Sequence, residues 1–362
     1  MMHTTKWQLF RFAIIYFSSQ TSIFLIPVIL ESSNYQGWIA LIAGCGLSLI
    51  ILYFTIRTGS FRAGQAWLEF GKEMVGKWIH RLVVILLAWC VYYVSIDIEN
   101  FVLFFGSNYL RGTPPLLIQC MIGLVILYSA SLGLPTIIYM CDGIFMIFLA
   151  SLALIFYLFI PNANMDMLPA LIHYHDPVIA AKDSIVVLSW FAEWVVFLFV
   201  APDLKIDFKI FKRLVLAVVA IFGIVLVGWI LTLLNFGPYL GGDLKYPFLE
   251  LVRSSSHNNL LSNIDPILIA LWSSSMFIHS AFLIHIGTRC AAYVLKNRGS
   301  KYLSPVLTTA AVAIAFLYSR NVAIYSRDAY SFTIVLIWIG VGCIPVYYTL
   351  SAYIRQRVLK RN

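Results

Sequence analysis

The chain has 362 residues, 61% of them in the Ala, Val, Ile, Leu, Met, Phe, Trp, Tyr and Cys class and 11% charged, with a formal charge of +9 and a mean hydropathy of +0.88. A soluble domain carries about 25% charged residues, so this composition excludes a soluble enzyme. The basic excess does not argue for nucleic acid, because the positive-inside bias of membrane proteins gives the same sum.

Apolar stretches run at 7–30, 37–57, 82–105, 114–133, 138–160, 183–201, 211–235, 266–295, 303–319 and 331–354. Runs such as Leu82 to Ala88 and Phe145 to Ile160 are apolar on every side, whereas strands of a membrane barrel alternate. Backbone groups in lipid must be satisfied within the segment, so each stretch is predicted to be a helix. The expectation is one polytopic all-α domain over 1–362 with ten transmembrane helices. Lys6 and Arg11 before the first apolar run resemble a signal peptide, but no small-residue cleavage site follows Pro27, so the run is kept as the first span.

Ten spans place both termini on one side. If that side is the cytoplasm, 19 of the 25 basic residues fall inside, among them Lys6, Arg57, Lys77, Lys209, Arg298 and Arg355. The outside keeps Arg111, Lys182, Lys245, Arg253, Arg320 and Arg327. The bias supports cytoplasmic termini, although the loop after the fourth span carries no Lys or Arg. Between the second and third spans, Ala66 to Arg81 sets Trp67, Leu68, Phe70, Met74, Val75, Trp78 and Ile79 among charges. This pattern predicts a helix at the membrane surface. In the outer loop 236–265, Tyr246 to Arg253 reads as a short amphipathic helix with Pro247 near its first turn. Asp265 and Pro266 read as the N-cap and first position of the eighth helix.

Cys45, Cys90, Cys120, Cys141, Cys290 and Cys343 all lie in apolar stretches without CxxC spacing, so they read as core residues with no disulfide framework and no metal site. No phosphate loop, nucleophile elbow or HExxH stretch occurs. No catalytic residues, cofactor or metal are expected.

Polar residues at membrane depth carry the functional signal, because each costs a few kcal/mol unless it faces a protein interior or a wet cavity. The first span holds Ser18, Ser19, Gln20, Thr21 and Ser22 in a row, followed by Pro27. Ser and Thr can bond their own helix carbonyls, but Gln20 cannot be hidden that way. The run reads either as a polar seam against another helix or as a local unwinding that exposes backbone groups to a ligand. The sixth span repeats the theme with Ser189, Trp190, Phe191, Ala192 and Glu193 near the midplane. Glu193 is expected to be protonated or paired with a cation, or to make a structural hydrogen bond to a neighbouring helix.

Interruptions in the first and sixth of ten spans fit two five-span repeats of inverted topology, with half-helix ends around a midplane substrate. Half-helix N-termini suit a carboxylate, and a glutamate or free carbonyls suit an ammonium, so the pattern fits an amino acid. Weaker candidates follow. In the third span, Tyr92, Tyr93, Ser95, Asp97, Glu99 and Asn100 make a polar outer half. Asp97 and Glu99, two apart, point to different faces, and one is expected to reach the outer interface. In the eighth span, Ser273, Ser274, Ser275, His279 and His285 interrupt an apolar helix, and satisfied core histidines are the plainer reading.

Several separated motifs then resemble one family. They are Gln36-Gly37-Trp38; Gly71-Lys72 through Gly76-Lys77-Trp78; Pro161-Asn162-Ala163 to Met167-Leu168-Pro169; Phe191-Ala192-Glu193 with the run to Pro202; Tyr246 to Arg253; and Asn263-Ile264-Asp265-Pro266 to Trp272. In this order the chain resembles the spore germination permeases, the B subunits of nutrient germinant receptors in endospore-forming bacteria and a branch of the amino acid/polyamine/organocation transporter superfamily. The resemblance implies a ten-span, five-plus-five inverted-repeat transporter-like fold with interrupted first and sixth helices. It implies a subunit of the spore inner membrane that senses a small germinant, often an amino acid, together with an A subunit and a lipoprotein C subunit. Carried over by position, the ligand would meet Ser19, Gln20, Thr21, Ser22, Ser189, Phe191, Ala192 and Glu193, with Tyr93 and Ser274 from the third and eighth spans. Relatives often have glycines where this chain has Gln20 and Ser22, which implies a smaller, more polar pocket. An active, possibly proton-coupled amino acid transporter is the alternative.

Overall fold

Thr5 and Gln8 begin the first helix as a capping box: Thr5 Oγ1 accepts the Gln8 amide at 3.2 Å, and Gln8 Oε1 accepts the Thr5 amide at 2.7 Å. A computed structural model describes residues 4–173, 175–255, 265–329 and 331–359. Helix α1 (Lys6–Gln20) passes into a π-helical segment, Thr21–Leu25, and then into α2 (Ile26–Ser33). The first span is therefore a continuous helix whose interruption is a widened turn rather than an unwound stretch. Such π segments concentrate at functional sites.

Asn34–Gln36 turn the chain into α3 (Gly37–Gly59), and the Gln36-Gly37-Trp38 motif explains that corner. Gln36 Oε1 accepts the Asp176 amide at 2.6 Å, and Trp38 Nε1 donates to the Leu171 carbonyl at 3.1 Å. A Cβ on Gly37 would lie 2.7 Å from the Trp229 ring. The surface helix predicted between the second and third spans is two helices, α4 (Trp67–Val75) and α5 (Lys77–Leu86), broken at Gly76, whose φ of 96° favours glycine. Trp67, Leu68 and Phe70 are buried, so α4 packs on protein instead of only resting at the bilayer surface. His80 fixes this corner, facing the Tyr348 hydroxyl at 2.7 Å and the Leu68 carbonyl at 2.9 Å.

The remaining helices are α6 (Trp89–Asn108), α7 (Pro115–Ser131), α8 (Leu134–Phe159), the one-turn α9 (Ala170–His173), α10 (Pro177–Trp190), α11 (Phe208–Asp243), α12 (Pro247–Ser255), α13 (Asp265–Val294), α14 (Ser300–Ser319), α15 (Val322–Ala329), α16 (Phe332–Gly342) and α17 (Ile344–Leu359), all but α9 and α15 on predicted stretches. The predicted tenth span is divided at Cys343 into α16 and α17, and α11 bends at Gly237 and Pro238. Helix α13 begins at Asp265 as predicted, while the capping role of the Asp265 side chain, and Asn263 and Ile264 of the motif, lie outside the described residues. No strand occurs among the described residues.

Among the described residues, eight stretches are long and apolar enough to cross a membrane. One of them, Lys6–Arg62, turns back on itself at Asn34–Gln36, and the shorter apolar helix Pro115–Ser131 adds to them. Many large apolar side chains, such as Leu82, Leu124, Met146 and Tyr157, are exposed, as a lipid-facing surface requires. The protein is a multi-pass membrane protein. Its centre is formed by α1, α6, α10, α11 and α13, where Phe12, Tyr16, Phe191, Trp194, Phe282 and Trp229 are buried in one cluster.

Candidate functional site

Helix α10 ends at Trp190, and after Phe191 and Ala192 the chain continues as a 3-10 segment, Glu193–Val200. The sixth span is thus interrupted at the residues expected. The change of helix type puts Glu193 at the start of the second half, where it faces α1 and α13. Glu193 Oε2 accepts from the Tyr16 hydroxyl at 2.6 Å and lies 3.1 Å from His279 Nε2. The other ring nitrogen, His279 Nδ1, lies 2.8 Å from Asp97 Oδ2. Asp97 also accepts from Ser280 Oγ at 2.7 Å and, at Oδ1, from Gln20 Nε2 at 2.5 Å. One network therefore joins α1, α6, the second half of the sixth span and α13. Its members Tyr16, Gln20, Asp97, Glu193, His279 and Ser280 are all buried.

A cavity of about 260 Å³ adjoins this network. Gln20, Tyr93, Asn100, Ser189, Trp190 and Trp338 line it, with Lys182 toward the N-terminal end of α10. It sits between the two interrupted spans and α16, and its wall mixes amide, hydroxyl and indole groups with apolar surface, as small-molecule sites do. Tyr93 packs edge-on against His279 and at 4.2 Å between ring centroids on Trp338.

The ten residues expected at the ligand divide into three groups. Gln20, Tyr93 and Ser189 line the cavity. Glu193 stands behind it, held by Tyr16 and His279, and Phe191 and Ala192 are buried at the break, Phe191 stacked at 15° on Phe17. Ser19 and Thr21 bond the carbonyls of Tyr16 and Phe17 in their own helix, at 2.7 and 2.9 Å. Ser22 lies on the opposite side of α1. There, with Ser18, Phe104, Trp272 and Ser275, it lines a second, mostly apolar cavity of about 100 Å³. Ser274 bonds the Ala270 carbonyl at 2.6 Å and lines neither cavity.

Both third-span acids are buried, so neither is exposed on the protein surface. They do point to different faces: Asp97 into the network, and Glu99 toward Gln119 of α7 at 3.1 Å and Ser319 of α14 at 2.6 Å. His279 is a satisfied histidine, as the plainer reading had it, but its partners are the two carboxylates nearest the cavity. Tyr16 and Trp338 were not anticipated. The spacing of Tyr16 and Gln20, one turn apart on the same face, is a signal that was available for Tyr16. Nothing in the apolar run from Ile334 to Val341 marks Trp338.

Comparison with known proteins agrees with this geometry. A family model described as spore germination protein matches residues 4–323. A curated relative, spore germination protein XB of Bacillus anthracis, is 22% identical over 307 residues, 84% of each chain. Three solved structures share the fold. A Na+-coupled sialic acid symporter, substrate-bound and outward-open, covers 95% of this chain and 79% of its own at 13% identity with a TM-score of 0.67. Mhp1, a nucleobase-cation-symport-1 family transporter with bromovinylhydantoin bound, covers 84% and 70% at 15% identity with a TM-score of 0.63. MhsT in complex with L-phenylalanine covers 97% and 99% at 14% identity with a TM-score of 0.58.

Proposed function

Because the chain belongs to the spore germination protein family, we propose that it is the ligand-binding membrane subunit of a nutrient germinant receptor. A small nutrient, an amino acid in the first instance, occupies the cavity lined by Gln20, Tyr93, Ser189 and Trp338. The observation that carries this reading is the position of that cavity between the two interrupted spans, beside a buried polar network to which Gln20 belongs and on whose His279 Tyr93 packs. The chain crosses the spore inner membrane ten times with both termini in the cytoplasm, as its loop charges suggest. It passes occupancy to an A subunit and a lipoprotein C subunit. Signalling requires the ligand to bind two conformations with different affinity, since equal affinity shifts nothing.

The second reading is a secondary amino acid transporter, favoured by the buried acid and histidine groups beside the cavity. Uptake of radiolabelled amino acids into vesicles that hold the purified chain separates the two. Binding without concentrative uptake supports the receptor. Steady concentrative uptake by this chain alone overturns it in favour of transport.

A further inference from the structure

Asp97, Glu193 and His279 are nearly inaccessible to solvent, and His279 is the ion-pair partner of both acids. Among the described residues no lysine or arginine pairs with either acid. An imidazolium between two carboxylates leaves one negative charge uncompensated at membrane depth, where an unpaired charge costs several kcal/mol. The titratable groups that face the cluster are Tyr16 from α1, Cys90 and Tyr93 from α6 and, beyond Tyr93, Tyr325 from α15. None of these is a cation, and Lys182, which lines the adjoining cavity, makes no ion pair with either acid.

We propose that Asp97, His279 and Glu193 form a proton-binding site whose exchangeable proton sits on Glu193, and that the cation of a ligand in the adjoining cavity takes that proton's place. The second half rests on the ligand-binding reading above; the first half does not. Glu193 is the acceptor because of how the donors are shared. Asp97 receives Gln20 at Oδ1 and His279 and Ser280 at Oδ2, so donors already occupy both of its oxygens. The Tyr16 and His279 contacts of Glu193 both converge on Oε2, so a proton on Oε1 leaves them intact. Access is from the cavity side, where Tyr93 both lines the cavity and packs edge-on against His279, 5.2 Å between ring centroids. A hydronium ion reaching the cluster from the cavity gives one proton to the Glu193 carboxylate and leaves as water. The cluster then becomes neutral. A ligand ammonium beside Tyr93 and Gln20 compensates the same charge and favours the reverse step.

The test uses the full-length chain in nanodiscs. Infrared difference spectra between alkaline and acidic pH are recorded with and without carboxyl-labelled glutamate. The expected result is a buried carboxylic-acid band that grows on acidification, shifts with the glutamate label, disappears in Glu193→Gln and persists in Glu99→Gln. The absence of any label-sensitive band, or a band abolished by Glu99→Gln and not by Glu193→Gln, overturns the proton site. The twenty protein L-amino acids are then titrated calorimetrically across the same pH range. Affinity for those that bind is expected to fall about tenfold per pH unit below the titration of the band, and to lose this dependence in Glu193→Gln. Affinity independent of pH in the unsubstituted protein overturns the exchange. If no amino acid binds at any pH, the ligand assignment fails and the infrared result alone decides the proton site.

Discussion

Gln20 Nε2 donates to Asp97 Oδ1 at 2.5 Å, across 77 residues of chain. The contact joins the junction of α1 and its π segment to the middle of α6. It places one amide on the cavity wall and on the buried acid at the same time. A ligand that engages Gln20 therefore acts directly on the charge environment of Asp97, without a longer path through the protein.

Gln20→Ala is expected to separate these two elements. Removing a donor to a buried carboxylate costs about 1.5–3 kcal/mol, so the thermal unfolding midpoint of the purified chain should fall. The germinant concentration for half response should rise by about tenfold or more in the assembled receptor. Dose-response curves, paired with immunodetection of the complex in the spore membrane, check both. An unchanged curve would remove Gln20 from the ligand site.

Gly342→Ala is expected to disturb the site from the opposite wall. An added Cβ would stand 2.6 Å from the Ala192 carbonyl oxygen and 2.8 Å from the Ala192 Cβ. The end of α16 would then be pushed off the break in the sixth span. Overpacking of this kind costs about 1–3 kcal/mol. Because α16 carries Trp338 on the cavity wall, the loss should appear as weakened ligand response at unchanged protein abundance. Ligand titration of the purified variant measures it. Gly340→Ala, where a Cβ meets nothing within 4 Å, is the matched control.

Most helices were legible because each apolar run has the length that a bilayer demands, and lipid forbids any other backbone solution. The corners were legible only as motifs; their reasons, such as the close approach of Gly37 to Trp229, need the third dimension. Gln20 and Glu193 stood out because a polar group in lipid must have a partner. The identity of those partners did not, since Asp97 and His279 meet them only through packing of α6 and α13. The form of the first interruption was also hidden, because no residue type distinguishes a π turn from unwinding. Ser274 shows a further limit. On a helix apolar on nearly every side, sequence gives no rotational phase, and here Ser273 and Ser275 are buried while Ser274 is turned away.

At the cytoplasmic end proposed for the first and seventh helices, acid should loosen one tie. Lys6 Nζ meets Asp207 Oδ2 at 2.6 Å, and Asp207 caps α11 by accepting the Ile210 amide at 2.9 Å. Partial burial acts to raise the Asp207 carboxyl, but the Lys6 hydrogen bond and the Ile210 and Lys209 amides overcome it and hold it below its ordinary value. A depressed acid stabilises the fold above its unfolded value, near 3.9, and that contribution is lost as pH falls through the lower folded value. Asp207→Ala should cost about 0.5–2 kcal/mol through the lost cap and flatten the acid limb of unfolding below about pH 4. Thermal unfolding from pH 3 to pH 7, compared with Lys6→Met, separates cap from ion pair, because Lys6→Met keeps the cap.

Trp272 supplies the last and sharpest test of the π segment. Its Nε1 donates to the Ser19 carbonyl at 3.2 Å, next to the point where α1 gives way to the wider turn at Thr21. A change from i+4 to i+5 bonding alters which carbonyls the helix can satisfy itself, and an external indole donor favours the widened form. Trp272→Phe keeps the aromatic packing on Phe101 and Phe104 but removes the donor. Leaving a buried carbonyl with one partner fewer costs about 1–3 kcal/mol. If the indole holds the turn open, Gln20 should shift relative to Asp97, and both ligand affinity and unfolding midpoint should fall together. Trp272→His, which offers a ring N–H donor, should recover part of both. A drop in stability with ligand affinity intact would mean that Trp272 supports only the packing, and that the π turn holds its shape from within α1.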